Sequence, residues 1–229
     1  MNQTKKVTKM EGPYEKFLRL GAESLSEAEL LAIILRTGTR NCPALGLAEK
    51  ILTLPHGGQK GLNALHHLSL SDLKSIDGIG EVKAVKIKSI AELAVRMSRE
   101  KAAISLDFDS PETVAAYFME ELRHEEKEKI LLLSLDNKLR LIEKYVLSIG
   151  TVNASLLSPR EAFVQAFKCR ASYIMLLHNH PSGESQPSRQ DLLITGKIKE
   201  AGMLVEIPLL DHIIIGDGCY TSLKEKGLL

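Results

Sequence analysis

Hydrophobic patterning changes character once along this chain, at about residues 98–110. Before that point no run alternates as a strand does, and apolar residues recur at helical spacing. After it, short apolar runs alternate with helix-type segments. This predicts a small all-helical domain followed by a mixed α/β domain built around one sheet. The boundaries read from the sequence are a loose arm over residues 1–15, a helical domain over 16–100, a linker over 101–110 and a second domain over 111–229. With 229 residues, the chain is long enough to bury a real core.

Local signals place the elements. Ser26 with Glu29 three residues on caps a helix over 24–35, whose apolar face is Leu30, Leu31, Ile34 and Leu35. Further helices are read over 44–52, 62–70 and 71–75, with a Pro-His-Gly-Gly loop at 55–58. In the second domain, Ser110-Pro111 opens a helix to about 123, because proline suits the first helical position. Residues 130–135 and 139–149 read as a hairpin about a turn at Asp136-Asn137-Lys138. Ser158-Pro159-Arg160-Glu161 opens a helix to about 168, and 173–177 is a buried strand. A helix over 188–201 is stopped by Gly202, and strands follow at 203–207 and 212–215.

Composition excludes several classes. Apolar residues are 44% and charged residues 26%, too apolar for wholesale disorder. Aromatics are 4% with no Trp, so Ile, Leu and Val fill the core. The longest apolar runs are far short of a membrane span, and the basic, polar N-terminus does not read as a secretory signal. Cys42, Cys169 and Cys219 are scattered and form no Cys-x-x-Cys pair, which predicts neither a disulfide framework nor a cysteine zinc site, and a reducing, cytoplasmic setting. The net charge of +1 divides unevenly: residues 1–104 carry 16 Lys and Arg against 11 Asp and Glu, and the remainder 14 against 18.

The informative stretch begins where the strand over 173–177 ends: His178-Asn179-His180-Pro181-Ser182-Gly183, then Pro187-Ser188-Arg189-Gln190-Asp191. Positions i and i+2 of an extended segment share a face, so His178 and His180 can address one point. Asp191 falls in the first turn of the next helix and can return to that point. Two imidazoles and a carboxylate with an open fourth position make a catalytic-type zinc site. Taken singly, the pieces have plainer readings: Ser188 and Asp191 are a helix capping box, and Pro-Ser-Gly is a turn.

The conjunction, His-x-His followed after seven residues by Ser-x-x-Asp, resembles the JAMM (MPN+) metalloprotease signature, and every position matches. The string His-Asn-His-Pro-Ser-Gly is similar to the RadC-like, or UPF0758, branch. So are Arg160 in Ser-Pro-Arg-Glu, Ile149-Gly150-Thr151 and the segment from Leu210-Asp211-His212 to Gly216. The resemblance implies a JAMM/MPN-like mixed sheet flanked by helices. It implies that His178, His180 and Asp191 ligate one Zn²⁺ per chain, with water as the fourth ligand. Ser188 would assist the water or the oxyanion. The implied activity is hydrolysis of a peptide or isopeptide bond in a protein or peptide substrate. An upstream Glu would move the proton. Glu128, just before the strand over 130–135, is preferred to Glu126 and then to Glu143. His212 is read as a structural histidine at a strand start, with support of the metal shell as the lesser reading.

In the front domain, Ile76-Asp77-Gly78-Ile79-Gly80 and the following helix resemble the second half of a helix-hairpin-helix motif. That implies DNA contact through Gly78 and Gly80 with Lys83 and Lys86 nearby, non-specific and salt-sensitive. The competing reading is a hairpin used only for packing. Two other functions compete with a peptidase. One is a DNA-associated, repair-linked protein whose metal site is not proteolytic, since His and Asp zinc sites also hydrolyse phosphodiesters. The other is a non-catalytic scaffold, against which the complete ligand set argues.

Overall fold

The computed structural model describes residues 11–54, 61–104, 106–150 and 158–229. The chain divides into two compact units between Ala94 and Val95.

The first unit is helical. Its elements are α1 (Pro13–Leu20), a single 3-10 turn (Ala22–Ser24), α2 (Glu27–Leu35), α3 (Ala44–Thr53), α4 (Ala64–His67), α5 (Leu70–Lys74) and the part of α6 (Glu81–Ala103) up to Ala94, the rest of that helix belonging to the second unit. The Ser26–Glu29 capping box forms reciprocally at the start of α2, and Ser69 with Asp72 makes another at α5. The core gathers Leu31, Leu35, Leu47, Ile51, Leu73 and Ile87. Each such buried aliphatic side chain contributes roughly 1.5–3 kcal/mol. Two features differ from the sequence reading. Residues 13–15, read as part of an arm, already belong to α1, because Gly12-Pro13 starts a helix there. The helix α6 runs to Ala103, into the stretch read as a linker.

The second unit continues with α7 (Pro111–Leu122), β1 (Lys129–Leu135), β2 (Leu141–Ile149), α8 (Pro159–Lys168), β3 (Tyr173–Asn179), α9 (Arg189–Leu204), β4 (Leu209–Ile215) and β5 (Tyr220–Ser222). The five strands form one mixed sheet in the order β2-β1-β3-β4-β5, parallel only between β3 and β4. That parallel pair needs a crossover, which α9 supplies. Strand alternation sorts the side chains. Leu131, Leu133, Met175, Leu177, Ile213 and Ile215 pack with Phe118 of α7 on one face. Leu132, Ile174 and Leu176 pack with Phe163 of α8 and Ile198 of α9 on the other.

The strand expected over 203–207 is a misreading. Gly202 does not stop α9, which reaches Leu204, and Val205 N–H still donates to the Ala201 carbonyl. The run Met203-Leu204-Val205 looked like a strand because it is apolar, yet Met203 and Leu204 are 69% and 86% exposed. Glycine at 202 serves a close approach: a Cβ there would lie 2.6 Å from the Ile207 carbonyl oxygen. The strand proper begins at Leu209, and the short β5 was not foreseen.

Candidate metal centre

Strand alternation carries His178 onto the α8/α9 face of β3, in the row of Ile174 and Leu176, where it is fully buried. His180 lies just past the strand. Its N–H donates to the Ile215 carbonyl at 3.0 Å. Its Nδ1 is 2.9 Å from the Glu184 carbonyl oxygen, which can only accept, so Nδ1 carries the proton and Nε2 presents a lone pair.

Ser188 caps α9 and Asp191 is three residues on. Ser188 Oγ accepts from Asp191 N–H at 3.2 Å, and Ser188 N–H donates to Asp191 Oδ2 at 2.6 Å. The box turns the carboxylate toward the histidines. Asp191 Oδ1 is 3.3 Å from His178 Nε2, Asp191 Oδ2 is 3.5 Å from His180 Nε2, and the two Nε2 atoms are 3.0 Å apart. Glu128, immediately before β1, places Oε1 3.9 Å from His178 Nε2. One ligand atom from each of Glu128, His178, His180 and Asp191 lies within 4.8 Å of the others.

The electrostatics follow from burial and crowding. Burial, then the negative charge of Asp191, raises the Glu128 carboxyl above its ordinary value. Burial and the neighbouring His212 push His178 well down, favouring the neutral imidazole. The Asp191 carboxylate, which would accept a hydrogen bond from the protonated ring, raises His180. Burial works to raise Asp191, but His180, His178 and Ser188 together outweigh it and hold the carboxyl well below the usual range. Burial lowers His212 to about 4.

The donor set fits a metal ion. Glu128 Oε1 is buried with no hydrogen-bond partner among the described residues. Beside it, two imidazole nitrogens and an ionised carboxylate converge. Such a crowd of electron pairs is balanced by a divalent cation, and N,N,O donation leaves coordination positions open.

The other candidate glutamates stay outside this cluster. Glu126 is exposed. Glu143 is exposed on β2, which β1 separates from β3. Three polar neighbours join the site: Thr195 and Asn179, which carry no role in the sequence reading, and His212, for which metal-shell support is the lesser reading. His212, on β4, sets Nε2 2.8 Å from His178 Nδ1. Thr195 lies one helical turn beyond Asp191 and touches His212 Nδ1 at 2.6 Å. Asn179, between the two histidines, points to the opposite face. The i+4 spacing from Asp191 to Thr195 was a usable sequence signal; the meeting of β3 with β4 had none.

In the helical unit, Gly78 takes a φ of +94°, and a Cβ there would come within 2.2 Å of Thr39 Cγ2. Lys83 Nζ donates to the carbonyls of Thr37 at 2.6 Å and Gly78 at 2.9 Å, tying the hairpin to the loop after α2. Lys88 Nζ similarly reaches the Leu65 and His66 carbonyls. Gly80 and Lys86 are exposed. Among the described residues, no helix is long and apolar enough to cross a membrane.

Two family models match the chain, the RadC-like JAB domain over residues 108–228 and the UPF0758 N-terminal region over residues 4–85. A UPF0758 protein of Clostridium acetobutylicum is 43% identical over 232 residues, covering 100% of both chains. One from Bacillus cereus is 43% identical over 227 residues, covering 99% of each. One from Desulforamulus reducens is 42% identical over 217 residues, covering 95% of this chain and 94% of its own. These names state no activity. With its helical front unit and its five-stranded mixed sheet flanked by helices, the chain belongs to the UPF0758 family and carries a RadC-like JAB domain.

Proposed function

We propose that this protein is a zinc-dependent hydrolase that cleaves a peptide or isopeptide bond. The observation that carries the reading is the buried Glu128 Oε1, without a hydrogen-bond partner among the described residues, beside His178, His180 and Asp191. His178, His180 and Asp191 would hold the ion, one per chain. When bound, zinc supplies Lewis acidity that makes water ionisable near neutral pH and polarises a carbonyl.

The chain's own groups do the rest. Glu128, raised by burial, is suited to take a proton from the attacking water and return it to the departing amine. Ser188 Oγ accepts from Asp191 N–H, and that bond leaves its own proton available to a developing oxyanion. The test is metal content followed by a peptide and isopeptide substrate screen. Wild type should carry about one zinc per chain and cleave a substrate that Glu128→Gln, still zinc-loaded, does not. Cleavage undiminished in Glu128→Gln would remove the assignment.

A second reading is non-specific DNA contact by the helical unit, favoured by the exposed Gly80 and Lys86 at the start of α6. Lys83 lends it less, because two backbone carbonyls already engage its ammonium. A salt-dependent shift with duplex DNA, weakened by Lys86→Ala, is its test.

A further inference from the structure

We propose that Thr195 and His212 are positioning residues that fix the tautomer of His178, so that its Nε2 lone pair faces the metal position. This rests on the metal reading above and extends it to residues outside the ligand set. Each proton along one buried chain of contacts has a single possible place. The Asp191 main-chain carbonyl can only accept, and Thr195 Oγ1 lies 2.5 Å from it. The single hydroxyl proton of Thr195 is committed there. Thr195 Oγ1 is then an acceptor, so the contact at 2.6 Å requires the proton on His212 Nδ1.

A neutral imidazole has one N–H. His212 Nε2 is therefore an acceptor, and the 2.8 Å contact with His178 Nδ1 requires a proton on that nitrogen. His178 Nε2 is left bare, facing Asp191 and His180. Thr195, His212 and His178 are each no more than 1% exposed, so water cannot supply a substitute partner. The opposite polarity would set the Thr195 hydroxyl and Asp191 carbonyl oxygens lone pair to lone pair and put a proton on the nitrogen that must bind the ion; the polarity assigned here instead gathers the lone pairs of His178 Nε2, His180 Nε2 and Asp191 at the one point where a cation balances them. The chain begins and ends on the same residue, since Asp191 offers its carbonyl to Thr195 and its carboxylate to the site.

Zinc affinity and tautomer test this separately. In metal-free wild type labelled with ¹⁵N-histidine, long-range ¹H–¹⁵N correlation should show His178 and His212 both protonated at Nδ1. Thr195→Val, nearly isosteric but without the hydroxyl, should disturb the His212 pattern. It should weaken zinc binding, read by chelator competition, roughly 10- to 100-fold. Thr195→Ser should restore both. If Thr195→Val does not fold, His212→Leu should lose zinc affinity in the same way, while His212→Gln, which retains an acceptor, should keep it. A wild-type His178 protonated at Nε2, or a folded Thr195→Val with unchanged tautomers and zinc affinity, would overturn the proposal. Failure of wild type to bind zinc would sink the metal reading alone, and the tautomer pattern would still decide the relay.

Discussion

Asn179 holds Glu128 without touching its carboxylate. The Asn179 amide nitrogen donates to the carbonyls of Glu125 and Lys127 at 3.3 and 3.2 Å, and its oxygen accepts from Lys129 N–H at 2.8 Å. The backbone is therefore gripped on both sides of Glu128. The His-x-His alternation places the two histidines toward α9 and this clamp on the other face. Asn179→Ala should cost about 1–3 kcal/mol, because three backbone groups lose their partner in a buried setting. Chemical denaturation would measure it. Zinc stoichiometry should stay near that of wild type, since no proposed ligand is removed, and a variant as stable as wild type would contradict the clamp.

Metal and folding should be linked. A ligand that binds only the native state stabilises it by mass action, about 2.7 kcal/mol at a hundredfold excess over Kd. Chelation should therefore lower the Tm of wild type. His178→Ala and Asp191→Ala should bind no zinc and show no chelator-dependent change. Equal metal content in wild type and Asp191→Ala would remove that residue from the ligand set.

The β1–β2 turn gives a pH prediction away from the site. The Arg140 side chain hydrogen-bonds Asp136, the N–H groups of Arg140 and Lys138 add to it, and the carboxyl falls to about 2. A folded pKa below the unfolded one means stability that is present above pH 3.8 and lost as pH falls toward 2. The Asp136 carboxyl ¹³C resonance should titrate near 2 in wild type and higher in Arg140→Ala. Identical midpoints would show that Arg140 is not the cause.

Two lysines three residues apart should behave differently. Lys83→Ala removes two hydrogen bonds to carbonyls and should destabilise the protein by about 1 kcal/mol, discounted for partial exposure. Lys86→Ala should leave the Tm unchanged. If DNA binds, it should lower the salt slope by about 1. Thermal unfolding of the pair separates an internal tie from a surface charge, and equal Tm values would argue against the Lys83 tie.

Local chemistry made much of this legible in the sequence. The caps at Ser26, Ser158 and Ser188 are short-range and formed where they were read. His178, His180 and Asp191 sit close in the chain, and the strand and helix periods alone bring them to one side. Glu128 could only be ranked among several acids, because its approach depends on how β1 pairs with β3. The strand read at 203–207 failed because apolar character without burial says nothing of period. His212 was given a structural role because its partner comes from another strand.

The parallel β3–α9–β4 unit has a consequence for the order in which the site can assemble. The proposed ligands lie within thirteen positions of one another, from 178 to 191, whereas Glu128 is fifty positions before His178. Closing the longer loop costs about 1 kcal/mol more chain entropy and also requires β1 to dock. On the proposed reading, the ligand set is thus a short-range product of β3 and α9. The proposed proton carrier is a long-range addition, so a change in how the β1–β2 hairpin docks would reach Glu128 while leaving the three proposed ligands in place.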